Sequence, residues 1–168
     1  MTAEDEILHK IRSAFSGRPL PSRVIPANVS PTDIYQDAEH FLGQRWDEVS
    51  SEQLDRYPAA VYGFAAQAFC YYLAGIMSAS IRERRPDLLV NSALVYMIDR
   101  SNIRSSWDDF FVERWCALSS EECGAVQCWI LWLAEASPAE FTDSELSRAF
   151  DTLDLLSHLH VATPLALR

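Results

Sequence analysis

The feature that most constrains the fold is a run of 25 residues, Tyr57 to Ile81, without a single charged side chain. A run of this length can either cross a bilayer or form the buried central helix of a helical domain. Its apolar residues recur at three- and four-residue steps, and Gln67 and several tyrosines lie well inside it, away from the ends where a membrane span carries its aromatic belts. We therefore predict a buried central helix over 58–84, with Pro58 in its first turn.

The rest of the chain carries repeated helix-start signals and no strand signals. Thr2 followed by Asp5 opens a first helix near 3–15, and the three prolines between residues 17 and 29 indicate an extended connector after it. Further helix starts are predicted near Ser30, Ser50, Pro86, Ser106, Ser119 and Thr142. With 168 residues, the chain is expected to form one all-α domain, 1–168, with about six or seven helices packed around the central helix.

Charge is distributed unevenly along the chain, whose formal net charge is −10. Residues 106–168 contain eleven carboxylates and three arginines, whereas five arginines lie between residues 82 and 104. Such an acidic balance disfavours nucleic acid and anionic membranes as partners and favours a protein with a basic surface. The five arginines are expected to pair with the protein's own carboxylates. The simpler alternative is that the excess acid only keeps the protein soluble.

Location and redox state follow from the N-terminus and the cysteines. The acidic start of the chain lacks the basic and then apolar pattern of a secretory signal, and the four cysteines contain no CxxC pair. We therefore expect a cytoplasmic protein with free thiols.

The sequence contains only weak signals of a catalytic or metal-binding site. No glycine-rich phosphate loop is present, and the paired carboxylates are sequence neighbours, which point in different directions on a helix. The sequence therefore predicts a protein that is not an enzyme and needs no cofactor or metal. The alternatives left open are a small metal-dependent hydrolase using His158, His160 and Asp154, and an acidic mimic of nucleic acid.

A protein-binding site is predicted where aromatic and acidic residues alternate, between Trp107 and Trp115. Exposed rings surrounded by carboxylates are typical of an interface hot spot. In this hypothesis acidic groups steer a basic partner, and Trp107 and Phe111 act as anchors. The predicted partner-binding residues are Trp107, Asp108, Asp109, Phe111, Glu113, Glu121, Glu122, Asp143 and Glu145.

Part of the chain, residues 57–135, resembles a family of small, uncharacterised bacterial helical proteins, in which a Tyr-Tyr-Leu core helix precedes a capped, tryptophan-rich helix. Ser120 stands where proline is usual in that family. Some small acidic helical proteins of this kind are immunity proteins, so the resemblance implies an antitoxin that occludes the active surface of a cognate bacterial toxin. The segments that carry the resemblance are Phe69 to Ala74, Trp107 to Trp115, Leu118 to Cys123 and Trp129 to Leu133.

Overall fold

The computed structural model describes residues 1–159, and this part of the chain is helical, without β-strands. The all-α prediction is confirmed. Two short 3-10 turns, Trp46–Glu48 and Arg104–Ser106, accompany the α-helices. Residues 1–159 form nine α-helices instead of six or seven: α1 (Ala3–Phe15), α2 (Asp33–Glu39), α3 (Ser51–Arg56), α4 (Ala60–Gly63), α5 (Ala66–Arg82), α6 (Leu89–Ile98), α7 (Asp109–Trp115), α8 (Ser120–Ala136) and α9 (Asp143–Leu159).

The predicted central helix over 58–84 is in fact two helices, α4 and α5, separated by extended backbone at Phe64 and Ala65. The break has a clear cause in hydrogen bonding. The Ala65 amide donates to the carbonyl of Val24, 2.8 Å away, and the Arg114 guanidinium donates to the carbonyl of Phe64, also at 2.8 Å. Because distant residues satisfy these two backbone groups, the chain can leave the helical conformation here without losing hydrogen bonds.

Helix α5 is the buried centre of the fold. Every residue from Ala68 to Ile81 is buried, and α1, α3, α6 and α7 pack around the helix. The interpretation of the uncharged run as protein core is therefore confirmed. Among residues 1–159, no helix has both the length and the apolar character required to cross a membrane.

The predicted capping residues begin several of the helices. Thr2 caps α1 with Asp5, Ser50 caps α3, and Ser119 caps α8 in a reciprocal arrangement with Glu122. The sequence predicts Ser106 as the cap of α7, but Asp108 is its N-cap. Ser106 instead donates its hydroxyl to the carbonyl of Ile103 inside a 3-10 turn, so it is not available as a cap.

The proline-rich connector joins distant parts of the bundle. Residues 17–29 contain no helix, and Val24 is buried against the α4–α5 break. Near its start, the Arg18 guanidinium forms two hydrogen bonds of 2.6 Å to the Glu122 carboxylate at the beginning of α8. The connector therefore links the first turn of α8 to the break between α4 and α5.

All four cysteines are free thiols, as expected. Cys70 and Cys123 are buried, whereas Cys116 and Cys128 are partly exposed. Burial raises the pKa of the Cys70 thiol to about 11 and that of the Cys123 thiol to about 12. Both buried thiols are therefore protonated at neutral pH and behave as small apolar core groups.

Candidate protein-binding surface

The predicted acidic residues lie mostly at the starts of helices. A carboxylate at this position is stabilised by the positive end of the helix dipole and by unpaired backbone N–H groups. These acids therefore have a role in the fold itself, in addition to any role toward a partner. Asp108 and Asp109 begin α7, Glu121 and Glu122 lie in the first turn of α8, and Asp143 and Glu145 lie in the first turn of α9.

Asp108 is held by two contacts within the protein. Its carboxylate accepts the Phe111 amide at 2.9 Å and lies 3.0 Å from the Arg100 guanidinium. The Phe111 hydrogen bond and, secondarily, the charge of Arg100 lower the pKa of Asp108, so it is ionised at neutral pH. Its charge is largely compensated by Arg100, which reduces what it can contribute to steering a partner.

Phe111 is completely buried, so the prediction that it is an exposed anchor is wrong for this conformation. The residue packs edge-to-face against Trp107, with ring centroids 5.0 Å apart, and under the Arg100 guanidinium. Trp107 is partly buried, and its indole N–H donates to the Ser101 carbonyl at 2.8 Å. The Phe111 side chain therefore belongs to the core beneath α7.

Glu122 is also internal, which corrects its assignment as a partner-binding residue. Its carboxylate is almost completely buried and accepts hydrogen bonds from Arg18 and from the Ser119 amide, the latter at 2.7 Å. Asp109, Val112 and Glu113 remain exposed on the outer face of α7. Sequence reasoning predicted Asp109 and Glu113 as part of the site, but it could not separate them from their buried neighbours.

Two ion pairs connect the C-terminal end of α6 to α7 and α9, and one of them involves the predicted residue Asp108. Asp99, which follows α6, pairs with Arg148 of α9 at 2.6 Å, and Arg100 pairs with Asp108 of α7. The starts of α7 and α9 are therefore brought to the same end of α6. Glu121 lies elsewhere, beside a groove between α1 and α8.

A second candidate surface is centred on Leu131 of α8, which is 53% exposed. Leu131 lines two open grooves, one of about 500 Å³ between α1 and α8 and one of about 320 Å³ between α8 and α9. We call Leu131 and these two grooves the α8 surface. Sequence reasoning missed it because Leu131 lies among core residues, although a helix this apolar has more apolar surface than one packed face can cover. Apolar groups that line the grooves include Ile7, Trp132, Ala134, Leu146 and Phe150.

Carboxylates surround the α8 surface. Glu6 and Glu135 border the first groove, and Asp143 and Asp151 border the second. All four are exposed, and none forms an ion pair within 4 Å with another residue of the described part. Lys10 also lines the first groove, where its ammonium group lies 3.2 Å from the Cys128 sulfur. The α8 surface therefore combines an apolar centre with an excess of uncompensated negative charge.

The arginines between residues 82 and 104 are mostly paired with carboxylates, as predicted. This arrangement leaves little free positive charge for a phosphate-dominated interface. The ion pairs are Arg82 with Glu83, Arg84 with Glu4, Arg85 with Asp55 and Asp87, and Arg100 with Asp108.

Only one residue of the predicted histidine pair, His158, lies within the described part of the chain. His158 Nδ1 lies 2.7 Å from the backbone oxygen of Asp154 and 3.9 Å from its carboxylate, while His160 lies outside the described residues. Within residues 1–159, no group of three or more His, Cys, Asp or Glu side chains is arranged to hold a metal ion. The metal-dependent hydrolase therefore stays a prediction.

Comparison with known proteins places the chain in a family. No curated protein and no solved structure gives a significant match. The Family of unknown function (DUF6714) matches residues 3–153, which includes all but the last turns of the described helical domain. The expected resemblance to an uncharacterised family is thereby confirmed at this level. The chain belongs to the family DUF6714.

Proposed function

We propose that this protein is an acidic protein-binding domain without catalytic activity, and most concretely a cytoplasmic immunity protein that neutralises a cognate bacterial toxin. The observation that carries the proposal is the α8 surface, where Leu131 is exposed between two grooves and four uncompensated carboxylates surround it. A toxin domain with a basic surface and protruding apolar side chains is complementary to this arrangement.

The apolar part of the α8 surface supplies binding energy. Interfaces derive most of their affinity from a few central groups that enter pockets and lose their water. The grooves on both sides of Leu131 are lined by apolar side chains and are open to solvent, so they can accept such groups from a partner. Helix α8 is about 25 Å long, which is enough to present several such contacts along one side.

The acidic part of the α8 surface determines the rate of association and the selectivity for a basic partner. Exposed carboxylates attract a basic partner before contact, which raises the association rate and disfavours acidic proteins. This role suits the four carboxylates that have no ion-pair partner among the described residues: Glu6, Glu135, Asp143 and Asp151. It suits Asp108 and Glu122 less well, because Arg100 and Arg18 neutralise their charges. Occlusion of a basic toxin surface by the α8 surface is the proposed mechanism of inhibition.

The experiment that tests the function is co-expression of this protein with the toxin domain encoded by a neighbouring gene. Cells that express the toxin should grow only when this protein is present, and the two purified proteins should form a complex. Absence of both protection and binding would reject the immunity role.

Leu131→Glu tests whether the α8 surface is the binding site. The substitution places a charge at the apolar centre, and we expect the Kd for the toxin domain to rise about 10-fold or more. Leu42→Glu is the matched control, because Leu42 is 57% exposed and lies beyond the end of α2. Calorimetric titration measures the Kd of both variants for the toxin domain. Equal values for the two would place the binding site elsewhere.

A further inference from the structure

A separate apolar surface lies on the outer face of α6. The inner face of this helix packs against α3, α5 and α9, but Leu89 is 69% exposed and Tyr96 is 74% exposed. These two residues are seven positions apart, so they lie on the same side of the helix, with the partly exposed Ser92 and Ala93 between them. Large apolar side chains with this much exposure, grouped on one face, indicate an interaction surface.

The exposed and partly exposed residues on this side of the helix form one surface, which we call the α6 face: Leu89, Ser92, Ala93 and Tyr96. Tyrosines suit an interface because each ring buries apolar area while its hydroxyl keeps a hydrogen-bond partner.

The α6 face is electrically neutral, which distinguishes it from the α8 surface. No residue from Leu88 to Ile98 carries a charge. The charged groups at both ends are paired within the protein: Arg85 with Asp55 and Asp87 before the helix, and Asp99 with Arg148 after it. A basic partner would therefore find no carboxylate to pair with on this face of α6.

We propose that the α6 face is a homodimer interface at which a second copy of this chain binds through the same residues. The net charge of −10 makes two copies repel each other over most of their surfaces, and the repulsion is smallest where both are neutral. An apolar, uncharged helix face is complementary to itself in a twofold arrangement. The partner that fits this face best is thus the protein itself.

The size of the face determines the expected strength of the dimer. Helix α6 has ten residues and is about 15 Å long, so the interface lies at the small end of the range for specific association. We expect a reversible dimer with a Kd on the order of 10–100 µM.

Analytical ultracentrifugation over a concentration series from about 5 to about 500 µM tests the proposal around this Kd. The average molecular mass of the wild type should rise with concentration from the 19.0 kDa of one chain toward twice that mass. Leu89→Glu and Tyr96→Glu should each remain monomeric throughout, because the dimer would then bury unpaired carboxylates in an apolar interface. Leu42→Glu should dimerise like the wild type, because Leu42 is exposed beyond the end of α2 and lies outside the α6 face.

Two results would overturn the proposal: a wild type that stays at 19.0 kDa at every concentration, or a dimer that persists in both α6 variants. Circular dichroism must show wild-type helicity for both variants. Because Tyr96 is largely exposed, Tyr96→Ser provides a milder second variant, for which we expect a Kd at least 5-fold higher than that of the wild type. The result is independent of toxin binding, since the measurement uses this protein alone.

Discussion

Gly63→Ala is expected to destabilise the protein by about 3 kcal/mol, because the added methyl group has no space. A Cβ at this position would lie 2.2 Å from the backbone oxygen of Ile34 and 2.7 Å from its carbonyl carbon. Both atoms belong to the backbone of α2, so no side chain can rotate away, and α2 and α4 would have to separate. The free energy of unfolding from urea denaturation measures the loss.

Gly124→Ala is the matched control for this substitution. Gly124 also lies in a helix, but the nearest atoms to its added Cβ are the flexible end of Lys10, 3.8 Å away. Since alanine favours a helix over glycine, we expect a gain of about 0.5–1 kcal/mol. If Gly63→Ala were as stable as the wild type, the close packing of α2 on α4 would be incorrect.

Glu122→Ala is expected to cost about 3 kcal/mol, because it leaves the Arg18 guanidinium without its carboxylate in a largely buried site. The exposed fractions of the two side chains are 4% for Glu122 and 23% for Arg18. The same substitution also removes the acceptor for the Ser119 amide and so half of the capping box of α8. Thermal and urea unfolding should both report the loss.

Glu121→Ala, one position earlier, is the natural comparison. Glu121 is exposed and forms no ion pair with the described residues, so its removal should change the stability by less than about 0.5 kcal/mol. Combining Glu122→Met with Arg18→Met should recover much of the loss, since neither charge then remains buried alone. Similar stabilities for Glu122→Ala and Glu121→Ala would show that the ion pair does not hold the connector to α8.

Local sequence signals predicted much of the fold. The Ser119–Glu122 capping box and the Thr142–Glu145 pair placed the starts of α8 and α9 correctly, because capping depends on residues three positions apart. The uncharged run identified α5 as the core, because burial of a whole helix requires the absence of charge on every side. Both signals are contained within one segment of the chain.

The break between α4 and α5 could not be predicted in the same way. It depends on hydrogen bonds from Ala65 to Val24 and from Arg114 to Phe64, which connect residues 41 and 50 positions apart. Gly63, just before the break, weakens a helix by only about 1 kcal/mol, and Phe64 and Ala65 themselves do not disfavour one. Tertiary contacts therefore override the local preference at this point.

The candidate site was predicted only in part, for a related reason. Spacing showed that Phe111 and Glu122 lie on amphipathic helices, but it could not show which side of each helix faces the core. Phe111 is buried by Trp107 and Arg100, and Glu122 by Arg18, and these contacts come from neighbouring segments and the distant connector. The exposure of Leu131 likewise depends on how α1 and α9 pack beside α8.

The central claim, that acidic groups on the α8 surface guide a basic protein partner to it, is tested most directly by association kinetics. The rate constant for binding to the cognate toxin domain should fall about 10-fold as ionic strength rises from low to physiological values. Asp151→Lys should slow association at low salt several-fold. Glu39→Lys makes the same charge change at the end of α2, which packs against α4, and should have a much smaller effect. Association that is independent of salt and equal for both variants would contradict the account.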